Sequence, residues 1–204
     1  SAGILQSWGE DWDIITDMAI KLVPGSHFQH AMAEAAANAA RKGSIAAGDI
    51  ASITLSRPGM TAIDGPRHPE NLIDMAHSAA YFMAAGAADH DFTWAHATPE
   101  KIADPVIHGL IDKVQIGPEP TENIAAYRQG ATVTIETTDV KSVTDTVLVP
   151  NGAGQRGIAW ADIDAKYRTL APAALNAEQV EASLAVIHDF RKVSNVSDLT
   201  GLLA

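Results

Sequence analysis

The sequence predicts an α+β fold, and three observations carry that prediction. Ile50–Ser56, Ala131–Thr138 and Ser142–Val149 alternate apolar and polar residues at the period of a half-buried strand. Two alanine-rich stretches, His27–Lys42 and Asn71–Ala88, carry helical spacing. After Gly157 only helical patterns remain. The expected organisation is a lid-type α+β domain over residues 1–150, with an antiparallel sheet, and a helical segment over residues 151–204.

Taken in order, Trp8–Lys21 reads as an opening strand or irregular segment that leads to Pro24. Gly25 and Ser26 precede the helix His27–Lys42, for which Gly43 is the expected C-cap. Arg57–Pro69 holds three prolines and two glycines and reads as a loop. In the second helix Leu72, Met75, Ala76, Ala79 and Phe82 recur at helical spacing, and the surface is so poor in charge that deep burial is expected. Thr98 is an N-cap candidate with Pro99 at the first helical position, and Pro105–Val114 continues as helix. Gln115–Glu122 reads as a loop and Pro150–Gly157 as a turn-rich linker. Ile158–Leu170, Ala177–Arg191 and Val196–Leu203 are helical, with Asn176 and Ser197 as N-cap candidates.

Composition narrows the function. The 204 residues include no cysteine, which removes disulfides, zinc–thiolate sites and a thiol nucleophile and suits a reducing cytoplasm. The net charge of −11, with no basic cluster, argues against nucleic acid and anionic membranes as partners. A small anionic substrate is still compatible, because a pocket can be positive inside an acidic protein. No apolar run reaches the length of a membrane span. The acidic start, with Glu10, Asp11 and Asp13, is not a signal peptide, and its abruptness suggests a piece of a longer chain.

Two clusters carry chemistry. In Lys21–His30 (KLVPGSHFQH) a lysine precedes a proline turn, and two histidines open a helix. A helix start presents free N–H groups and a positive dipole end, which attract carboxylates and depress a nearby histidine pKa. Lys21 and His27 are the candidates for gripping an anion and moving a proton, with Ser26 and His30 as further binding candidates. The plain alternative is a surface lysine and polar helix-start residues. In Arg67–Tyr81 (RHPENLIDMAHSAAY), His77 and Tyr81 stand four apart on what reads as one helix face, with Arg67 and His68 in the preceding loop. His77 and Tyr81 are candidate acids and Arg67 a binding candidate; the alternative is a core tyrosine and a satisfied histidine. His96 and His108 have no metal-ligand spacing and read as surface or packing residues. Gly152–Gly157 (GAGQRG) lacks the context of a phosphate loop.

Together these segments resemble the MmgE/PrpD family, which includes 2-methylcitrate dehydratase and cis-aconitate decarboxylase. Lys21-x-x-Pro24, His30 and the following Ala-x-x-Glu-Ala-Ala are similar to the family's lysine, proline turn and histidine-bearing helix. His77-Ser-Ala-Ala-Tyr81 is similar to its H-x-x-x-Y run. The Ile102-Ala-Asp-Pro segment running to Val114, and Lys166-Tyr-Arg-x-Leu170, resemble later stretches in the same order. The likeness covers nearly the whole sequence and corresponds to the C-terminal half of the family's proteins.

The resemblance implies an α+β lid inserted into an all-helical domain, with the C-terminal helices belonging to the latter. It implies an active site between the two, to which the lid gives Lys21, His27 and Tyr81. It implies a cofactor-independent lyase, dehydratase or decarboxylase in type, acting on a small di- or tricarboxylic acid, with no metal. It also implies a helical N-terminal half or separate subunit as partner and a homo- or hetero-oligomer. One departure stands out: the family's lid histidine sits one residue before or after His27, where this chain has Ser26 and Phe28. The alternatives are a non-catalytic anion-binding or partner-completing subunit, and an epimerase or isomerase of the same family.

Overall fold

The computed structural model describes residues 9, 10, 12 and 18–203, so most of the Trp8–Lys21 reading lies outside the described residues. The chain divides into two compact units, Ser1–Gly157 and Ile158–Ala204.

The first unit is α+β. Strands β1 (Ile50–Ser56), β2 (Val114–Ile116), β3 (Ala131–Thr137) and β4 (Ser142–Val147) form one sheet in the order β2-β1-β3-β4. The alternation works as read: Ile53 and Leu55 on β1, and Ala131, Val133 and Ile135 on β3, are fully buried. On the other face the hydroxyls of Thr132 and Thr146, and of Thr134 and Thr144, pair across β3 and β4 at 2.8 Å. The β3–β4 pair is antiparallel, as the sequence predicts. The sheet is nonetheless mixed, because β2 joins β1 in parallel where helix followed by loop is the sequence expectation. Three residues leave too little alternation to reveal a strand.

Helix α1 (His27–Gly43) packs on β3 and β4 and on α3 (Ala79–Asp89). Its alanines are buried on nearly every side, which small side chains permit and a single apolar stripe would not require. At the crossing with α3, a Cβ added to Gly86 would lie 2.5 Å from the Ala33 carbonyl oxygen, so the two backbones touch. The left-handed residue that ends α1 is Ser44 (φ 49°), not Gly43. Gly43 answers to space instead: a Cβ there would lie 2.7 Å from Ile45 and 2.9 Å from Val143.

The predicted second helix is two helices, α2 (Leu72–His77) and α3. Ser78 between them is extended (φ −89°, ψ 97°), and its hydroxyl accepts the Tyr81 N–H at 3.1 Å, an N-cap that competes with helix continuation. The loop holds the break open: Ala79 N–H donates to Asp64 O at 3.1 Å, and Gln29 Nε2 donates to His77 O at 2.7 Å. Beyond α3 come the short α4 (Pro99–Ile102) and α5 (Pro105–Ile111), each with proline in its first turn and capped by Thr98 and Asp104 respectively.

Residues 150–157 are pinned rather than slack. Ile20 N–H donates to Gly152 O and Gly154 N–H to Met18 O, both at 2.8 Å, and Ala19 bridges Ala153. Gly152 has φ +85°, and a Cβ there would meet the Ile20 carbonyl.

The second unit holds α6 (Trp160–Leu170), α7 (Ala177–His188) and the short α8 (Ser197–Thr200). Asn176 forms a full capping box with Gln179, whereas Ser197 is the first helical residue and not the cap. Among the described residues of this unit only Val180, Ser183 and Leu184 are buried. Tyr167 and Ser183 hydroxyls meet at 2.8 Å, and Arg168 grips Glu181 with two bonds of 2.7 and 2.8 Å.

Candidate functional site

The start of α1 is built by a turn that requires glycine at position 25. Gly25 has φ +84°, and a Cβ there would lie 2.6 Å from the Phe82 ring, so glycine lets the turn sit directly on the α3 core. Ser26 N–H donates to Ala76 O at 2.9 Å, which ties the turn to the end of α2. The Ser26 hydroxyl makes no cap bond, so α1 begins without a side-chain acceptor for its first amides.

Two histidines meet here. His27 is half-buried and His30 is 3% exposed. Their Nδ1 atoms are 3.1 Å apart and their rings are edge to face at 4.9 Å. His30 stacks on Phe82, and its Nε2 is buried with no hydrogen-bond partner among the described residues. Burial, then the neighbouring His27 and Lys21, pull the His30 pKa down to about 4. Burial and Lys21 lower that of His27 as well. Lys21 is exposed and forms no ion pair among the described residues.

A polar cavity opens beside His27, lined by Ala19, Tyr127, Arg128, Gln129, Ala153 and Gln155. No acidic side chain is among these lining residues, and Arg128 supplies a permanent positive charge. The wall is rigid: Arg128 N–H donates to Leu148 O at 2.9 Å, and the Tyr127 hydroxyl lies 2.7 Å from Thr132 Oγ1. Gln129 is held left-handed (φ 58°), a conformation a non-glycine residue adopts at a cost. His30 lines a second cavity, of about 360 Å³, beside Leu22, Val23 and Phe92. The histidine pair therefore stands between two cavities.

Beneath the helix start, Arg57 is 5% exposed. Its guanidinium donates to Phe28 O at 2.6 Å and lies 3.7 Å from the centre of the Phe28 ring. Burial lowers its pKa to about 10.

Of the residues singled out from sequence, Lys21, Ser26, His27 and His30 gather at this one helix start. Tyr81 does not join them. It is fully buried, and its hydroxyl donates to His96 O at 2.9 Å. Burial, then Asp104 and Asp89, raise its pKa, so it stays a neutral core phenol. The shared-face argument fails because the break at Ser78 separates the pair: His77 is exposed and its Nδ1 donates to Ile73 O at 2.9 Å. Arg67 is a structural staple, donating to Ile111 O at 3.2 Å and Val114 O at 2.7 Å, where α5 gives way to β2.

Sequence reading missed Arg128, Gln129, Gln155 and Arg57. The first three come from turn-rich stretches without periodicity, and only the fold sets them against His27. Arg57 had one available signal, its place at the end of a buried strand. Among the described residues no group of three or more histidines and acids could hold a metal, and no helix is long and apolar enough to cross a membrane. A family model described as MmgE/PrpD C-terminal domain matches residues 24–192. No curated protein matches the chain significantly.

Proposed function

The chain belongs to the MmgE/PrpD family, and from that premise we propose that the cavity beside His27 receives a carboxylate group of a small di- or tricarboxylic acid. The single observation behind this reading is that Arg128 and His27, the latter at the start of a helix with no side-chain cap, line a cavity with no acid in its wall. Arg128 pairs with one carboxylate through charge-assisted bonds, and Lys21 raises the local potential. His27, kept neutral by burial and by Lys21, handles a proton at the adjacent carbon or oxygen. The reaction class is lyase, dehydration or decarboxylation in type, without a cofactor.

Tyr81 has no part in this chemistry, so the chain alone holds a grip and one proton handler. A helical half, covalent or separate, completes the site in this reading. The second unit supports that need: Trp160, Phe190 and Val196 are each at least half exposed, and only three of its described residues are buried. The burial of Tyr81 also favours a second reading, a subunit that binds an anion without turning it over.

Titration calorimetry with a citrate-like tricarboxylate tests the pocket. Saturable binding is expected, weakened roughly tenfold in Arg128→Ala, about the worth of one lost charge-assisted pair. Equal affinity in the variant would remove the carboxylate assignment. Assaying proton exchange and dehydration, alone and with a helical subunit, separates the two readings: binding without turnover in both states supports the second.

A further inference from the structure

We infer that His30 is a positioning residue which holds the neutral His27 ring with its proton on Nε2, so that His27 offers the Arg128 cavity a hydrogen-bond donor and not a lone pair. The inference deepens the proposed function, and it rests on that reading only for what the donor meets.

The geometry leaves few arrangements. The two Nδ1 atoms are 3.1 Å apart, and such a contact needs one proton between them. If His27 supplied that proton, a neutral His30 would carry its own on Nε2. That atom is buried with no acceptor among the described residues, on a ring that stacks on Phe82; the cavity the ring lines has polar walls, Glu34, Asn38 and Asn151 among them, yet none of these side chains bonds Nε2. An orphaned buried N–H is among the rarest features of folded proteins. If His30 supplies the proton from Nδ1, Nε2 is a bare lone pair, and the carbonyls of Pro24 and Gly25 also favour a ring proton near the turn. His27 Nδ1 then accepts, and its own proton sits on Nε2.

A charged pair is disfavoured on balance, although the Pro24 and Gly25 carbonyls pull the other way. Lys21 repels a further proton on either ring and burial, the largest cause, acts in the same direction, while the cavity that His30 lines holds both signs, Glu34 and Asp91 with Arg41 and Arg156. Phe82 contributes only an apolar face. With Nδ1 turned to His30, Nε2 is the nitrogen His27 has left for the cavity it lines with Arg128 and Gln155. A resting donor suits an anionic oxygen, to which the neutral ring gives a hydrogen bond while keeping its proton.

Long-range proton–nitrogen correlation on the full chain, labelled with nitrogen-15 histidine at neutral pH and without ligand, reads both tautomers directly. His27 and His30 signals are identified by their loss in His27→Gln and His30→Gln. The expected spectrum shows His27 protonated at Nε2 and His30 at Nδ1. The reverse pattern, or averaging of His27 between both forms, overturns the proposal. In His30→Asn, whose side-chain amide can donate from the same position, His27 keeps its tautomer. In His30→Phe, it becomes a mixture of both forms. An unchanged His27 spectrum in His30→Phe also overturns the proposal, and a variant that does not fold leaves the wild-type spectrum to decide. Because no ligand is present, a lost tautomer and a failed tricarboxylate titration are separate results.

Discussion

Two helix starts lie next to one another in the first unit and are finished in opposite ways. At α3 the side chains close the start: Ser78 caps the Tyr81 amide and the Tyr81 hydroxyl ends on the His96 carbonyl. At α1 the chain withholds a side-chain cap, buries a histidine nitrogen without a partner among the described residues and adds a lysine. Completeness suits α3 to a scaffold, and the open groups at α1 are the ones on which the proposed ligand site draws. From sequence only the first start is visible, because Ser78 lies inside what reads as one helical run, Asn71–Ala88.

The contrast can be broken most severely at the scaffold end. Gly65 has φ +80°, and a Cβ there would lie 1.8 Å from the His77 carbonyl oxygen, so Gly65→Ala must displace the α2–α3 break. A loss of roughly 4 kcal/mol is expected in chemical denaturation, from strain plus broken bonds. Acid attacks the other end. His30 unfolded titrates near 6.5 and folded near 4, so its contribution is whole above pH 6.5 and disappears as pH falls through 4. The expected loss reaches roughly 3 kcal/mol, because each tenfold drop in proton affinity on folding is worth about 1.4 kcal/mol. Denaturation midpoints followed from pH 7 to 4 should show a slope that His30→Phe reduces, the remainder belonging to groups such as His27 and His96 that burial also lowers. Tyr81 has the opposite sign: its raised pKa keeps stability whole below pH 10 and surrenders it at higher pH.

Smaller effects sharpen the distinction. Tyr81→Phe strands the buried His96 carbonyl and should cost about 1–2 kcal/mol in thermal unfolding, with tricarboxylate affinity unchanged. A fall in affinity would return Tyr81 to the site. Gln129→Gly should do the reverse, gaining about 0.5 kcal/mol by relieving the left-handed backbone while weakening binding, as calorimetry would report.

How much could be read beforehand depends on periodicity. The strands β1, β3 and β4 and the helix α1 repeat their pattern for six residues or more, and each was legible. The Lys21–His30 cluster was legible too, because its parts are adjacent in sequence. The Ser78 break was hidden, since its cause is a carbonyl from Asp64 and an amide from Gln29, both distant in the chain. The same blindness hid the partners of Arg67 and Tyr81, whose polar atoms find backbone carbonyls 44 and 15 residues away. The Arg128 wall depends on tertiary placement alone.

The bare contact between Gly86 and the Ala33 carbonyl has a mechanical consequence. Where two main chains bear directly on each other, no rotamer is left to cushion a slide or a roll. The helix that carries His27 and His30 is thereby bolted in height and azimuth. Any change in where the two imidazoles stand must then come from rotation of their own side chains, since the helix beneath them has no travel to give.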